Sequence, residues 1–409
     1  MAVYVGNGPT TSMYFPKEEY EERWRRVYDE MDARGFDAAV IWGRSAGTYE
    51  RSGNVLYLTN YYSYQSGHEE DTDMWMGISF SAVIMSNREA PTLVADMADF
   101  PSHLLPLNDY DWEPNVILAV AKAIRNRGLK GRVALVGTDF LPVKYFHVLK
   151  EELQEVEFVA ADDLLVNVRR RKSPRELDCY REAGDKASAA LTAQMEKIVQ
   201  GGVSQSEAAA AGAAEVIRRG GFPHMVPVSS GKSIYQFYGD HITGSSSEVV
   251  LNEGDMVRTW VYGPMWQGYW LDPGRTAVVG RKPSAEQRDL IEKGAAIIER
   301  LIQEIRPNRK VADIVGLGID MRRETGTEDD QPGKMWPLFG HGVGLFWEPP
   351  WLLKSAANED NPDVFYEGDV LGVEVFLYWP HLGSLGIEQN IIVGREENEL
   401  LTTTDMFWW

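Results

Sequence analysis

The chain has 409 residues, 44% hydrophobic and 25% charged, a balance that excludes a disordered protein and a length that predicts two domains. No long unbroken apolar run occurs, which excludes a helical membrane span, and a net charge of −20 argues against nucleic acid and anionic membranes as partners. The single cysteine, Cys179, excludes an internal disulfide; with a polar start through Pro16 and no apolar leader, the expected location is the cytoplasm.

Residues 16–34 predict an amphipathic helix, because Tyr20, Trp24, Val27 and Met31 recur at helical steps among acids and arginines. Gly35 stops it, and 37–42 reads as a buried strand. Further strands are expected at 79–85, 92–95, 133–136 and 156–160, and helices at 114–126 and 142–153. Their alternation predicts a smaller α/β domain with a mixed sheet over 1–167. Within it, 48–76 is long, polar and rich in tyrosine, glycine and acids, and is expected to be a functional loop reaching over a neighbouring site.

The second domain is expected over 168–409. Ser173 caps a helix starting at Pro174, with Glu176 placed to complete a capping box; this helix runs to about residue 199, stopped by Gly201-Gly202. Helices follow at 204–219, 284–305 and 311–325, and strands at 370–377 and 387–393. Helices covering a curved sheet make this an α+β domain. The apolar tail Met406-Phe407-Trp408-Trp409 is expected to dock on the domain or in a dimer interface.

Between these helices, 253–279 predicts two strands, 256–262 and 270–279, joined across Gly263-Pro264 and Gly268, with Asp272 on the second arm. Downstream, His341 stands between Gly340 and Gly342, Glu374 follows Gly372-Val373, and Glu388 follows Gly386-Ile387. Carboxylates seldom sit in apolar runs unless paired, hydrogen-bonded or bound to metal. Asp272 also suits a turn before Pro273-Gly274, and the glutamates suit an edge strand. The recurrence of the pattern favours convergence of Asp272, His341, Glu374 and Glu388 on one catalytic site. Aromatic residues surround these segments. Trp260, Tyr262, Trp347 and Tyr238 are the expected substrate-facing members, joined by His381 in the loop before Glu388. Aromatic walls over carboxylates suit a small cationic or zwitterionic substrate through cation–π contact.

Lys172-Ser173-Pro174, Gly254-Asp255-Met256-Val257, Gly268-Tyr269 leading to Asp272 and Arg275-Thr276, Gly340-His341-Gly342-Val343-Gly344 and the pair Glu374 and Glu388 resemble the creatinase / aminopeptidase P / prolidase superfamily. The resemblance covers 168–401, and more loosely the first domain. It implies a pita-bread C-terminal domain after a creatinase-type N-terminal domain, in a homodimer. In the peptidases of that superfamily two aspartates, a histidine and two glutamates hold two metals. Asp272, His341, Glu374 and Glu388 match all but the first aspartate, whose place falls at Val261 or Trp260. A second histidine is replaced by Trp347, ahead of Glu348-Pro349-Pro350, and an arginine by Gly386. The resemblance leaves two alternatives: one divalent ion (Zn, Mn or Fe) on Asp272, His341, Glu374 and Glu388, or no metal, as in creatinase. His241 falls where creatinase has its general acid/base, a task that suits an imidazole titrating near neutral pH.

The function expected from these residues is hydrolysis of a C–N bond in a small cationic or zwitterionic compound, similar to creatinase and ectoine hydrolase. The rivals are an Xaa-Pro dipeptidase or aminopeptidase with an altered metal site, a dimethylsulfoniopropionate-type lyase, and a non-catalytic binding protein.

Overall fold

A computed structural model describes residues 13–44, 52–62, 79–96, 100–231, 234, 241, 244–327, 338–358 and 360–409. These divide into two compact units, one ending at Arg169 and one beginning at Arg170, just beyond the expected 167. Arg170 belongs with the second unit because its guanidinium donates to Asp369 (3.0 and 2.8 Å) and Asp363 (2.7 Å).

The first unit opens with α1 (Lys17–Arg34), which buries Tyr20, Trp24, Val27, Tyr28 and Met31 and ends on Gly35 at φ 69°. A six-stranded mixed sheet follows, in the order β4-β3-β2-β1-β5-β6. Its strands are β1 (Ala38–Arg44), β2 (Phe80–Ser86), β3 (Thr92–Ala95), β4 (Tyr110–Trp112), β5 (Gly131–Val136) and β6 (Val156–Ala160). The β1–β2 and β2–β3 pairs are antiparallel; β1–β5, β5–β6 and β3–β4 are parallel. Strands buried on both faces read as apolar runs, which is why β1 and β2 were visible in sequence. The helices are α2 (Gly53–Thr59), α3 (Val116–Asn126, capped by Asn115), α4 (Val143–Glu152) and α5 (Val166–Arg170). The polar stretch expected as a loop thus contains a buried helix, α2, whose Val55, Tyr57 and Leu58 lie inside. Residues 48–51 and 63–76 of that stretch lie outside the described residues.

The second unit starts with α6 (Pro174–Gln200), carrying the expected capping box between Ser173 and Glu176, and α7 (Gln205–Arg218), with another between Ser204 and Glu207. An antiparallel sheet runs β13-β12-β14-β15-β11-β8-β7, with β16 (Glu399–Leu400) on β15. Its strands are β7 (Val228–Ser230), β8 (Met256–Trp260), β11 (Gly274–Val278), β12 (Leu338–Val343), β13 (Trp347–Leu353), β14 (Val370–Trp379) and β15 (Gly383–Ile392). β8 and β11 pair as expected, but they are not joined by a simple turn. The connection is itself a small hairpin of β9 (Gly263–Trp266) and β10 (Tyr269–Leu271). Gly263 and Gly268, at φ 156° and 87°, take the backbone through its two reversals.

Strand periodicity sorts the sheet's two faces. Val373, Val375 and Leu377 of β14, with Leu385, Ile387 and Ile391 of β15, pack against Leu290, Ile291 and Ile298 of α8 (Ala285–Glu304) and Ile314 and Val315 of α9 (Val311–Glu324). The alternate residues, Glu374, Glu388 and Asn390, therefore point to the other face. The C-terminal tail docks on its own unit: Met406 and Trp409 pack on this core, and Trp408 is buried.

Candidate active site

Four strands bring the polar groups together. Glu374 on β14 is the register partner of Glu388 on β15. Gly274 on β11 is the register partner of Glu388 from the other side, with Asp272 just ahead of it. His341, on β12, stands opposite Gly372 of β14 and Trp351 of β13. From His341 Nε2 the nearest carboxylate oxygens are Asp272 Oδ2 at 3.5 Å, Glu374 Oε1 at 3.7 Å and Glu388 Oε1 at 3.7 Å. All four side chains are buried. Gly372 is the floor beneath them: a Cβ there would lie 2.3 Å from Glu388 Oε1 and 3.3 Å from both Asp272 Oδ1 and His341 Cε1.

Neutral donors hold these carboxylates in place. Asp272 Oδ1 accepts from Asn390 Nδ2 at 2.8 Å, and Oδ2 accepts from Trp347 Nε1 at 2.7 Å. Glu388 Oε2 accepts from Trp260 Nε1 at 2.8 Å, while its Oε1 is buried without a hydrogen-bond partner. Behind the strand, Arg275 donates to the carbonyls of Gly274, Glu388, Thr404 and Asp405 and to Gln389 Oε1. Its charge therefore braces the backbone at Glu388 and is spent on oxygens outside the cluster.

The electrostatics are one-sided. Burial, and then the Asp272 carboxylate, push the Glu374 carboxyl well above its usual range. Glu388 is pushed up by burial first, then by Asp272 and Glu374, against the lowering effect of the Trp260 N–H. His341 Nδ1 lies 3.1 Å from the Gly342 carbonyl, which only accepts, so Nδ1 donates. In the neutral ring Nε2 is then an acceptor facing three carboxylates. A buried centre made of acceptors alone requires a cation or protons. Ligand atoms of Asp272, His341 and Glu388 all lie within 4.8 Å of one another, and Glu388 Oε1 has no other partner. The oxygen and imidazole donor set fits one divalent ion such as Zn, Mn or Fe.

The other expected residues divide. Trp347 lines the centre, its ring 5.3 Å from His341, with Tyr262 behind it at 6.2 Å from Trp347. Trp260 is not an open wall: it is 1% exposed and stacked on Phe376, because its indole is committed to Glu388. His381 is not brought to the four. It sits on the exposed β14–β15 turn, stacked on Trp379 and 3.7 Å from Glu286, because extended strand separates it from Glu388. His241 is exposed, unlike the buried four, and Tyr238 lies outside the described residues. One contributor was missed, and one aromatic of the histidine loop, Trp351, joins Trp347 at the centre. Asn390 shares the site-facing side of β15 with Glu388, a period-two signal available in the sequence. Trp351 is 40% exposed, with its ring 6.1 Å from His341 on the opposite strand.

A buried acid-and-imidazole centre on the antiparallel sheet of a two-unit chain agrees with the expected pita-bread class. Residues 178–395 match the model of metallopeptidase family M24, and 23–170 match that of the creatinase/prolidase N-terminal domain. The chain belongs to metallopeptidase family M24 and is an enzyme of its hydrolase type. It is 25% identical over 384 residues to an Xaa-Pro dipeptidase of Pyrococcus horikoshii, covering 94% of this chain and 97% of the relative. It is 24% identical over 421 residues to an ectoine hydrolase of Halomonas elongata, covering 95% and 96%. The fold superposes on the prolidase of Pyrococcus horikoshii OT3 with a TM-score of 0.74 at 21% identity, over 94% of this chain and 99% of that one. Identity over the whole chain does not rank the two chemistries. Among the described residues, no helix is long and apolar enough to cross a membrane.

Proposed function

We propose that the protein hydrolyses a C–N bond in a small cationic or zwitterionic compound. The observation that carries this reading is the acidic, aromatic-edged centre: three buried carboxylates around His341, with Trp347 and Trp351 beside the imidazole. Such a site attracts positive charge, and its rings offer cation–π contact to an ammonium or amidinium group. Asp272, fixed by Asn390 and Trp347, serves as the rigid reference for substrate and water. Glu374 and Glu388, pushed up by burial, are suited to take a proton from water and return it to the leaving nitrogen. In the alternative, a divalent cation held by Asp272, His341, Glu374 and Glu388 would supply Lewis-acid polarisation and water activation near neutral pH, and the glutamates would serve as its ligands. His241 is assigned a substrate-facing proton shuttle and the assembly a homodimer, both on the resemblance to the creatinase superfamily; a cytoplasmic location is assigned on the single Cys179.

The second reading is an Xaa-Pro dipeptidase, favoured by the dipeptidase relative that aligns over nearly the whole chain. Trp260 and Trp347 count against it, since indoles stand where the resemblance expects an aspartate and a histidine. A substrate panel of creatine, ectoine, betaines and Xaa-Pro dipeptides separates the two. Turnover of a cationic or zwitterionic non-peptide supports the proposal. Turnover confined to Xaa-Pro dipeptides overturns it.

A further inference from the structure

Five of the six carboxylate oxygens of the centre can be assigned. Asn390 and Trp347 each take a lone pair of Asp272, and Trp260 takes Glu388 Oε2. What remains facing His341 Nε2 is Glu388 Oε1, Glu374 Oε1 and the second lone pair of Asp272 Oδ2. Ligand atoms of Asp272, His341 and Glu388 gather about one point, and Glu374 Oε1 stands at its edge, 3.7 Å from His341 Nε2. The other oxygen of Glu388, Oε2, faces the Trp260 indole.

The indole's seat is built for it. Trp260 ends β8 opposite Gly274, which is in turn the register partner of Glu388. A Cβ on Gly274 would lie 2.2 Å from Trp260 Nε1, and one on Gly386 would lie 2.4 Å from Cη2. Phe376 stacks on the ring with centroids 5.5 Å apart. Side chains at 274 or 386 and the indole are therefore mutually exclusive. Val261, the other position where an aspartate was expected, packs away from the site: a Cβ on Gly212 of α7 would lie 3.3 Å from Val261 Cγ2.

We infer that Trp260 seals the second cation position, its N–H standing in for that cation toward Glu388, so that the centre takes one divalent ion per chain. The inference rests on the reading above that the centre holds a cation, for which Asp272, His341 and Glu388 are the residues within ligand distance of one another. It also joins two departures of the sequence into one: the loss of an aspartate to Trp260 requires the small residue at Gly386, since no longer side chain fits beside the ring.

The test is metal content by mass spectrometry of the full-length protein, stripped, loaded with Mn²⁺ and desalted, for the wild type, Trp260→Asp and Trp260→Phe. The expected result is one ion in the wild type and two in Trp260→Asp. Trp260→Phe should keep one ion at an affinity lower by about 10- to 100-fold, because Glu388 loses its orienting donor. One ion in both the wild type and Trp260→Asp overturns the seal while leaving the metal reading intact. No ion in the wild type overturns that underlying reading. If Trp260→Asp does not fold, electron paramagnetic resonance of Mn²⁺-saturated wild type decides. An isolated-ion signal supports the inference, and a spin-coupled pair overturns it.

Discussion

Glu374 and Glu388 are direct register partners on β14 and β15, two buried carboxylates facing the same side of one sheet. Both have carboxyls raised above the ordinary 4.5, so the folded, metal-free protein binds protons that the unfolded chain releases. Stability of that form is therefore greatest below the ordinary carboxylate range and falls as pH rises through the raised values. Thermal melts in chelator from pH 5 to 8 should show a declining midpoint. Saturating divalent metal should flatten the slope, and Glu388→Gln should reduce it without metal. A midpoint that rises with pH in chelator would contradict the assignment.

His341 and Glu374 should be indispensable to turnover but not to folding. His341→Gln and Glu374→Gln are expected to lower kcat by about a hundred-fold or more, the usual scale for a positioned acid–base or ligand group. Circular dichroism and melting should stay near wild type. Retained turnover in either variant would remove that residue from the mechanism.

Gly372→Ala adds one methyl group directly against Glu388 Oε1 while removing no ligand. It should weaken metal binding by about 10- to 100-fold, as displaced orienting contacts commonly do. Titration calorimetry with Mn²⁺ reads this directly, and unchanged affinity would mean the floor at Gly372 is not tight.

Trp347 separates the roles of ring and N–H. Trp347→Phe keeps an aromatic wall but strips a donor from buried Asp272, and is expected to destabilise by about 1.5–3 kcal/mol in urea unfolding. Trp347→Ala should in addition raise KM for a cationic substrate, since a cation–π contact is worth about 0.5–2 kcal/mol. Equal KM in both variants would argue that the ring does not touch substrate.

Ser173→Ala serves as the structural control. It removes the N-cap bond of α6 (Glu176 N–H donating to Ser173 Oγ, 3.2 Å) at a cost of about 1 kcal/mol, with kcat unchanged. A large kcat effect would show that α6 is coupled to the site.

The legible parts of the molecule were those written locally. The capping box at Ser173, the apolar runs of β1 and β2, and the lone acids in otherwise apolar strands follow from chemistry within a few residues. The four central residues could be listed because a buried carboxylate is costly wherever it occurs. Partners set by register across β8, β11 and β15 were not legible. Trp260 reads as one more aromatic residue until the sheet carries its N–H to Glu388, 128 positions away. His381 failed for the converse reason, since nearness in sequence to Glu388 is distance along an extended hairpin. Helix α2 was hidden by the polar composition on either side of it.

Arg275 carries a consequence for handling the protein. Its guanidinium, pushed down to about 10 by burial, fastens the carbonyl of Glu388 to those of Thr404 and Asp405. The last few residues thus act as a latch on the strand that presents a catalytic carboxylate. Trimming the chain before Thr404 would strand a buried positive charge beside the centre and slacken Glu388 from behind. Tags or cuts at this end should therefore register as lost metal affinity before any loss of secondary structure.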